Sequence, residues 1–543
     1  MNPLGSAKCV GRLLMALTAI ASILLIASCG SSSFVPKPNS EGFNNSNLKG
    51  TYVLSISGTD FHPSSNTGSF FAIVGTIIAD GNGNITGGTV DINDANLGGT
   101  GVFLAQPVGR SRYNITPDGR GIGTLPTAKG NFGLVFVLTS NGHGLITRFD
   151  PFGSGSGTLD LQGSASQSSL GSLAFSLSGS DSSGNPLGTV GAFTLDSSGT
   201  VTSGTQDFND NGSSAASGLT GLPLTGGSLV LASGGTSGTA VLTTSSSFAS
   251  LGFDVWVIDS THLKFIETDN AATGNALSGD AFTQQTSFTA GQLVFTISGA
   301  DLNGGPFAAG GYVTTTADGS LSNGIEDYDD VGNAVLGHAF TGGCATFTAG
   351  RCQLDLTGFT YTNSSFAAYP SSGGVLLLEN DSNALALSQG AALAQTPTSF
   401  PAPAGYGLNL SGANANGEVD DIAQFNASTA TTNNMTGELD ENDLTMPCPD
   451  PASGCSFLFG TYSTPASGRG SIIASVPGSL TGGLTLEYYV VDGSTFLFVE
   501  VDQAQLAVGT FQAQSASESG GAAQSHIAIV HPAVRAHGAL RGK

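Results

Sequence analysis

The stretch Ser172-Leu173-Ala174-Phe175-Ser176-Leu177-Ser178-Gly179-Ser180-Asp181 decides the fold. Leu173, Phe175 and Leu177 alternate with Ser172, Ala174 and Ser176, and a period of two puts the apolar set on one face of a β-strand. The run ends in Ser-Gly, with an acid two positions after the glycine. The same ending recurs as Ser57-Gly58 with Asp60, Ser298-Gly299 with Asp301, and Ser411-Gly412 with Asn414. The glycines stand 121, 120 and 113 residues apart.

Three more landmarks follow in the same order in each copy. The first is Gly-x-x-Asp: Gly88/Asp91, Gly204/Asp207, Gly324/Asp327 and Gly437/Asp440. Next comes a glycine-rich turn, Gly119-Arg120-Gly121 after Tyr113 and Gly468-Arg469-Gly470 after Tyr462, with Gly350-Arg351 and Gly235 at the related places. Last is a closing Gly-x4-Gln: Gly157/Gln162, Gly279/Gln284, Gly390/Gln395 and Gly509/Gln514. Fixed order and spacing in four copies define an internal repeat. The units run over 49–165, 170–285, 290–396 and 404–515. At about 115 residues each is long enough to bury its own core, so the chain reads as a string of domains.

Within a unit the apolar alternation continues, as in Phe253, Val255 and Val257. Turn dipeptides separate the runs: Asp80-Gly81, Asp118-Gly119, Asn141-Gly142, Asn211-Gly212, Asp318-Gly319 and Asp492-Gly493. Such pairs supply the positive φ of tight hairpins. Helical patterning is confined to Ala384 to Ala394, and Gly390 interrupts it. The reading is all-β: four tandem repeats, each a small antiparallel meander barrel, with a β-sandwich as the alternative. A barrel pairs first strand with last and removes two exposed edges; glycines within strands then mark corners and bulges.

Charged residues make up only 10% of the chain, and 39 Asp plus Glu outweigh 15 Lys plus Arg for a net charge of −24. That balance argues against nucleic acid as a partner. Residues 1–28 read as an export signal: Lys8 and Arg12 precede an apolar stretch from Leu13 to Ile26. No later run is apolar enough to span a membrane. The stretch ends in Ile26-Ala27-Ser28-Cys29, which resembles the lipobox of bacterial lipoproteins. The resemblance covers the first thirty residues. It implies cleavage before Cys29, a fatty-acyl anchor on that thiol, and, with no acid at 30 or 31, an outer-membrane or cell-surface location. Residues 29–48 form a polar tether and 516–543 a tail outside the repeat. The repeats themselves resemble those of Gly/Ser-rich multi-repeat proteins exported by bacteria, a resemblance that implies no activity.

Four cysteines remain besides Cys9 and Cys29. In an exported chain the close pairs Cys344/Cys352 and Cys448/Cys455 read as local disulfides; their spacings do not fit the short pairs of a zinc site. Residues after Gly-x-x-Asp suggest a loop. Asp207-x-Asn209-x-Asn211-Gly212 follows the first half of a calcium loop, echoed by Asp91/Asn93, Asp327/Asp329 and Asp440/Asn442. The twelfth position, Gly218, lacks the closing Glu, and Asx turns account for the same pattern. No Gly-x-Ser-x-Gly elbow occurs, and the histidines do not recur at matching places. The Tyr488-Tyr489 pair offers one outward ring for stacking on a sugar. The resulting expectation is a lipid-anchored envelope protein that presents four β-domains for structural, adhesive or binding roles without catalysis. The partner is an extracellular glycan or protein and no cofactor is needed beyond the calcium alternative. Ligand-binding barrels and an extracellular hydrolase are the competing readings.

Overall fold

The computed structural model describes residues 42–516 apart from 62–67, 211–218, 246–249, 270–273, 302–304, 331, 349, 361, 381–384, 397–403, 416, 429–432, 445, 448–455 and 478–482. The fold is four closed antiparallel β-barrels in tandem, each a meander of eight strands whose first and last strands pair. They span Lys49 to Leu161, Ser172 to Thr283, Gly291 to Ala394 and Ala404 to Ala513. The first and fourth carry one extra short strand each, Val102–Pro107 and Met446–Pro447, beside the third strand. The residues with helical patterning form the strand Leu385–Ala394, in which Gly390 pairs with Ile297 to close the third barrel. No helix among the described residues is long and apolar enough to cross a membrane.

Strand alternation fills each interior. In the first barrel Tyr52, Leu54, Ile56, Ile73, Ile92 and Phe136 share one buried cluster. In the fourth, Tyr406, Phe425, Phe496 and Phe511 meet inside, the last two stacked at 4.5 Å. Each such side chain contributes about 1.5–3 kcal/mol by leaving water. The third barrel, lined by Phe295, Phe340, Phe359 and Phe366, leaves an internal cavity of only about 40 Å³.

The recurrent glycines lie where strands nearly touch. A Cβ on Gly157, Gly279, Gly390 or Gly509 of the closing strands would come within 1.7, 2.1, 2.0 or 2.3 Å of a carbonyl oxygen on the first strand. The Ser-Gly glycines do the reverse: a Cβ on Gly58, Gly179, Gly299 or Gly412 would stand 2.2, 1.8, 1.9 or 2.1 Å from a carbonyl oxygen of the last strand. The seam of every barrel is therefore a reciprocal pair of close approaches that only glycine permits. Among the expected turn glycines, Gly81, Gly119 and Gly319 have φ near 80°, while Gly142 and Gly493 turn without positive φ; Gly212 lies outside the described residues.

The units are not separate beads. Apolar clusters join first to second barrel (Phe70, Val74, Ile266, Ala276), second to third (Val190, Phe282, Leu376, Leu378), and third to fourth (Val294, Ala308, Val499, Val508). A fourth cluster joins fourth to first (Ile422 with Val135, Val137 and Leu145). The string expected from the sequence is a closed circuit, because each barrel has a second apolar face that alternation alone does not assign to a neighbour.

Candidate functional site

The Gly-x-x-Asp residues build the joints. Asp91, Asp207, Asp327 and Asp440 lie within the strands Asn84–Asp94, Val201–Asp210, Leu321–Asp330 and Asn434–Asp443, not in loops. Their neighbours Val90, Phe208, Tyr328 and Leu439 point into the barrels, so alternation turns each Asp outward, toward the next barrel. Asp207 receives a bidentate fork from Arg351 (Nε–Oδ2 2.8 Å, Nη2–Oδ1 2.6 Å) and a hydrogen bond from the Tyr369 hydroxyl, both from the third barrel. Asp327 receives the same set from the fourth: Arg469 at 2.6 and 2.7 Å, and Tyr489. The Arg and Tyr are cross-strand neighbours in each case, Arg469 facing Tyr489 directly.

The other two joints use parts of the same set. Trp256 of the second barrel, which pairs with Ser237 where an Arg would stand, donates Nε1–H to Asp91 at 3.0 Å. Arg120 of the first barrel, paired with Val137 where a Tyr would stand, reaches Asp440 at 3.3 Å and also Glu438. Fork-shaped recognition of carboxylate is what guanidinium supplies and ammonium does not. Burial, then the Asp207 charge, holds the Tyr369 hydroxyl well above its ordinary pKa, and burial with Asp327 does the same for Tyr489.

Three of the four companion residues also bridge barrels. Asn93, Asn209 and Asn442 donate Nδ2–H to the carbonyls of Glu267, Glu379 and Arg148 at 3.0, 2.9 and 2.9 Å. Asp329 holds that place in the third barrel and accepts from Gly332 N–H at 2.7 Å. Among the described residues no group of three or more His, Cys, Asp and Glu is placed to hold a metal ion. Asn211 lies outside the described residues. The expected loop is thus a strand at its described positions. A strand sends Asp and Asn side chains outward together at a spacing of two, and a neighbouring barrel engages them.

The closing glutamines complete the pattern. Gln162 donates to Thr236 O at 3.0 Å, Gln395 to Val490 O at 2.6 Å, and Gln514 to Asp118 O and Leu138 O at 2.8 and 2.9 Å. Gln284 lies against Gly350, where a Cβ would come within 2.1 Å of its Nε2. Each glutamine meets the glycine-rich turn of the next barrel, and the last meets the turn of the first.

The cysteines Cys344 and Cys352 form a disulfide with Cα atoms 5.6 Å apart. Cys29, Cys448 and Cys455 lie outside the described residues. Tyr488 points into the fourth barrel and Tyr489 is buried against Asp327, so neither ring offers a sugar-stacking surface. His262 sits 2.5 Å from Asp280, which Lys264 also binds at 2.7 Å, and stacks on Phe282.

The open surface lies elsewhere. On the first barrel a groove of about 850 Å³ is lined by Asn82, Asn84, Arg112, Asn114, Ile122 and Thr124, among others. Its volume is in the range of small-ligand sites. On the fourth, Phe457, Phe459 and Ile473 are 49, 49 and 62% exposed on adjacent strands.

No protein-family model matches the chain, and no curated protein matches it. Among solved structures, transferrin binding protein B from serogroup B Neisseria meningitidis is 12% identical over 69% of this chain and 84% of that one, with a TM-score of 0.20. The Haemophilus parasuis protein of the same name is 9% identical over 70% and 86%, with a TM-score of 0.19. Kievitone hydratase from Nectria haematococca is 9% identical over 42% and 90%, with a TM-score of 0.16.

Proposed function

We propose that the chain is a lipid-anchored, non-catalytic protein of the bacterial cell surface whose four barrels act as one rigid binding platform. The carrying observation is where side chains are already committed. The barrel interiors are packed with apolar side chains, and the faces between barrels are consumed by Asp-centred joints. Binding is left to outer features, among them the groove of about 850 Å³ beside Arg112 and Asn114. Its asparagines and arginine favour a hydroxyl-rich ligand such as an extracellular glycan, because amide and guanidinium groups pair with hydroxyls in both directions or as donors. The lipobox resemblance at Cys29 supplies the anchor.

Metabolic labelling with a palmitate analogue tests the anchor: the chain takes the label and fractionates with membrane, and Cys29→Ser loses both. An unlabelled wild-type chain in the soluble fraction overturns it. Binding to immobilised envelope polysaccharides tests the groove; Arg112→Ala with Asn114→Ala should abolish retention, and equal retention of both chains overturns this assignment.

A further inference from the structure

The outward row of each barrel's second strand meets a neighbouring barrel. The register gives that row as Phe70, Ala72 and Val74 in the first barrel, Pro186, Gly188 and Val190 in the second, and Pro306, Ala308 and Gly310 in the third. The fourth barrel places Glu418, Asp420 and Ile422 at the same positions. Two sites that are apolar or small in the other three barrels are thus carboxylates in the fourth. Both are buried against the first barrel, and a Cβ on Gly58 would stand 2.6 Å from Glu418 Oε1.

Their surroundings offer hydroxyls and no free cation. Ser154 and Ser156 of the first barrel donate to the two oxygens of Asp420 at 2.7 Å each. Glu418 hydrogen-bonds Asp420 and Thr59, and its Oε2 is left unpartnered. Two carboxyl groups in hydrogen-bond contact share a proton, because like charges at that distance do not both ionise. The cations nearby are committed. Arg120 crosses this joint and is held by Asp118, Glu438 and Asp440. Arg148 binds Asp150 at 3.0 Å and approaches Asp60 at 3.7 Å. Arg469, the only Lys, Arg or His between residues 404 and 515, is bound to Asp327 and Glu487 at the opposite joint. Asp421, which alternation turns toward the mouth of the fourth barrel, adds negative charge behind Asp420.

This is also the joint that the chain does not tie. Segments 162–171, 284–290 and 395–403 connect consecutive barrels, whereas the fourth meets the first through non-covalent contacts. Carboxylates occur at tied joints too, Asp254 beside Asp91 and Glu487 beside Arg469, but there a covalent connection keeps the barrels together.

We propose that the Glu418–Asp420 pair is a proton-operated catch: the circuit of barrels is closed at the fourth-to-first joint while the pair holds a proton, and opens there, with every barrel still folded, when the proton leaves. Ionisation sets two buried negative charges side by side with no cation to offset them. The apolar contact that remains is narrow, Ile422 of the fourth barrel against Val135, Val137, Leu145 and Phe149 of the first. Burial, ahead of the serine hydroxyls, lifts Asp420 to about 6, and burial with the Asp420 charge holds Glu418 well above its ordinary range. Carboxyl groups raised in the closed state stabilise it fully below their free values of about 4, and that contribution is lost as pH climbs through 6 and then through the higher value of Glu418. The joint is therefore tight in acid and released in base.

Spin labels on the full chain test this, one at Thr124→Cys of the first barrel and one at Ile473→Cys of the fourth, both exposed positions. Double electron–electron resonance should give one narrow distance at pH 5 and a longer, broad distribution at pH 9, reversibly and with unchanged β-sheet circular dichroism. A pair at Thr124→Cys and Val241→Cys, across a tied joint, should keep its distance at both values. Glu418→Gln with Asp420→Asn should hold the narrow fourth-to-first distance at pH 9, whereas Glu267→Gln should open as wild type does. A wild-type distance that is the same at pH 5 and 9 overturns the proposal. So does opening that persists undiminished in the Glu418→Gln, Asp420→Asn chain, or a distance change that runs in step with loss of circular dichroism.

Discussion

The Nε2 of Gln514 lies 2.8 Å from the carbonyl oxygen of Asp118, across 396 residues of sequence. Gln514 closes the fourth barrel and Asp118 opens the glycine-rich turn of the first, so this contact returns the circuit to its start. Arg120, two residues after Asp118, reaches Asp440 of the fourth barrel beside it.

Loss of this return contact should weaken the body as a whole. Replacing Gln514 with Ala removes its two hydrogen bonds to the first barrel and the one it accepts from Gln424, at a cost of about 2–4 kcal/mol. Combined with Arg120→Ala, it should split a single thermal transition into two in differential scanning calorimetry. Retention of one transition at an unchanged temperature would show that the fourth-to-first joint carries no stability.

The arginine joints should be costlier to break than the tryptophan joint. Arg351→Ala leaves Asp207 buried without its fork, and breaking a buried pair from one side costs about 3–5 kcal/mol. Trp256→Phe keeps the ring and loses one hydrogen bond to Asp91, about 1–3 kcal/mol. Urea denaturation of the two variants gives the comparison.

At the barrel seam, Gly179→Val places a Cβ within 1.8 Å of Ala276 O before any branching is added. Overpacking of this kind costs about 1–3 kcal/mol and more against rigid backbone. The variant should express as a chain with lowered β-sheet circular dichroism at 37 °C, whereas Gly87→Ala, where a Cβ meets nothing within 4 Å and the backbone is not left-handed, should keep the native spectrum.

Stability should fall as pH rises from about 5 to 8. Burial, aided by the Asp269 charge, lifts Glu267 to about 8, and burial lifts Glu326 to about 7. A carboxyl with a raised folded pKa binds its proton more tightly in the folded state. Its stabilisation is complete below the unfolded value near 4.5 and is lost as pH climbs through the folded one, at up to about 1.4 kcal/mol per pH unit per group. Glu267→Gln should flatten this slope and leave a chain more stable than wild type at pH 8. Chemical denaturation at pH 5, 6.5 and 8 measures it.

Much of the fold is legible in the residues. Apolar alternation in runs such as Leu173 to Leu177 gives strands, and the seam glycines mark closure because a backbone oxygen stands where a side chain would be. The joints were less legible. Asp207 and Asn209 carry the spacing of a calcium loop, and a linear sequence does not say that they lie in a strand with Arg351 144 residues away. The outward ring of the Tyr488-Tyr489 pair reads as available for a ligand for the same reason: alternation turns one ring outward, and only the neighbouring barrel makes outward mean buried. The clue available was the recurrence of Arg351 and Arg469 at glycine turns, unexplained by any hairpin need.

The sequence by itself determined the four modules, their strand-only construction and the glycines that let each barrel shut, because these rest on local periodicity and on backbone geometry at single residues. Only the tertiary structure decided that the modules form a closed circuit, and which carboxylates face a partner barrel or a barrel mouth. Those outcomes depend on which outward faces meet, and complementarity between distant surfaces is written in no single stretch of chain.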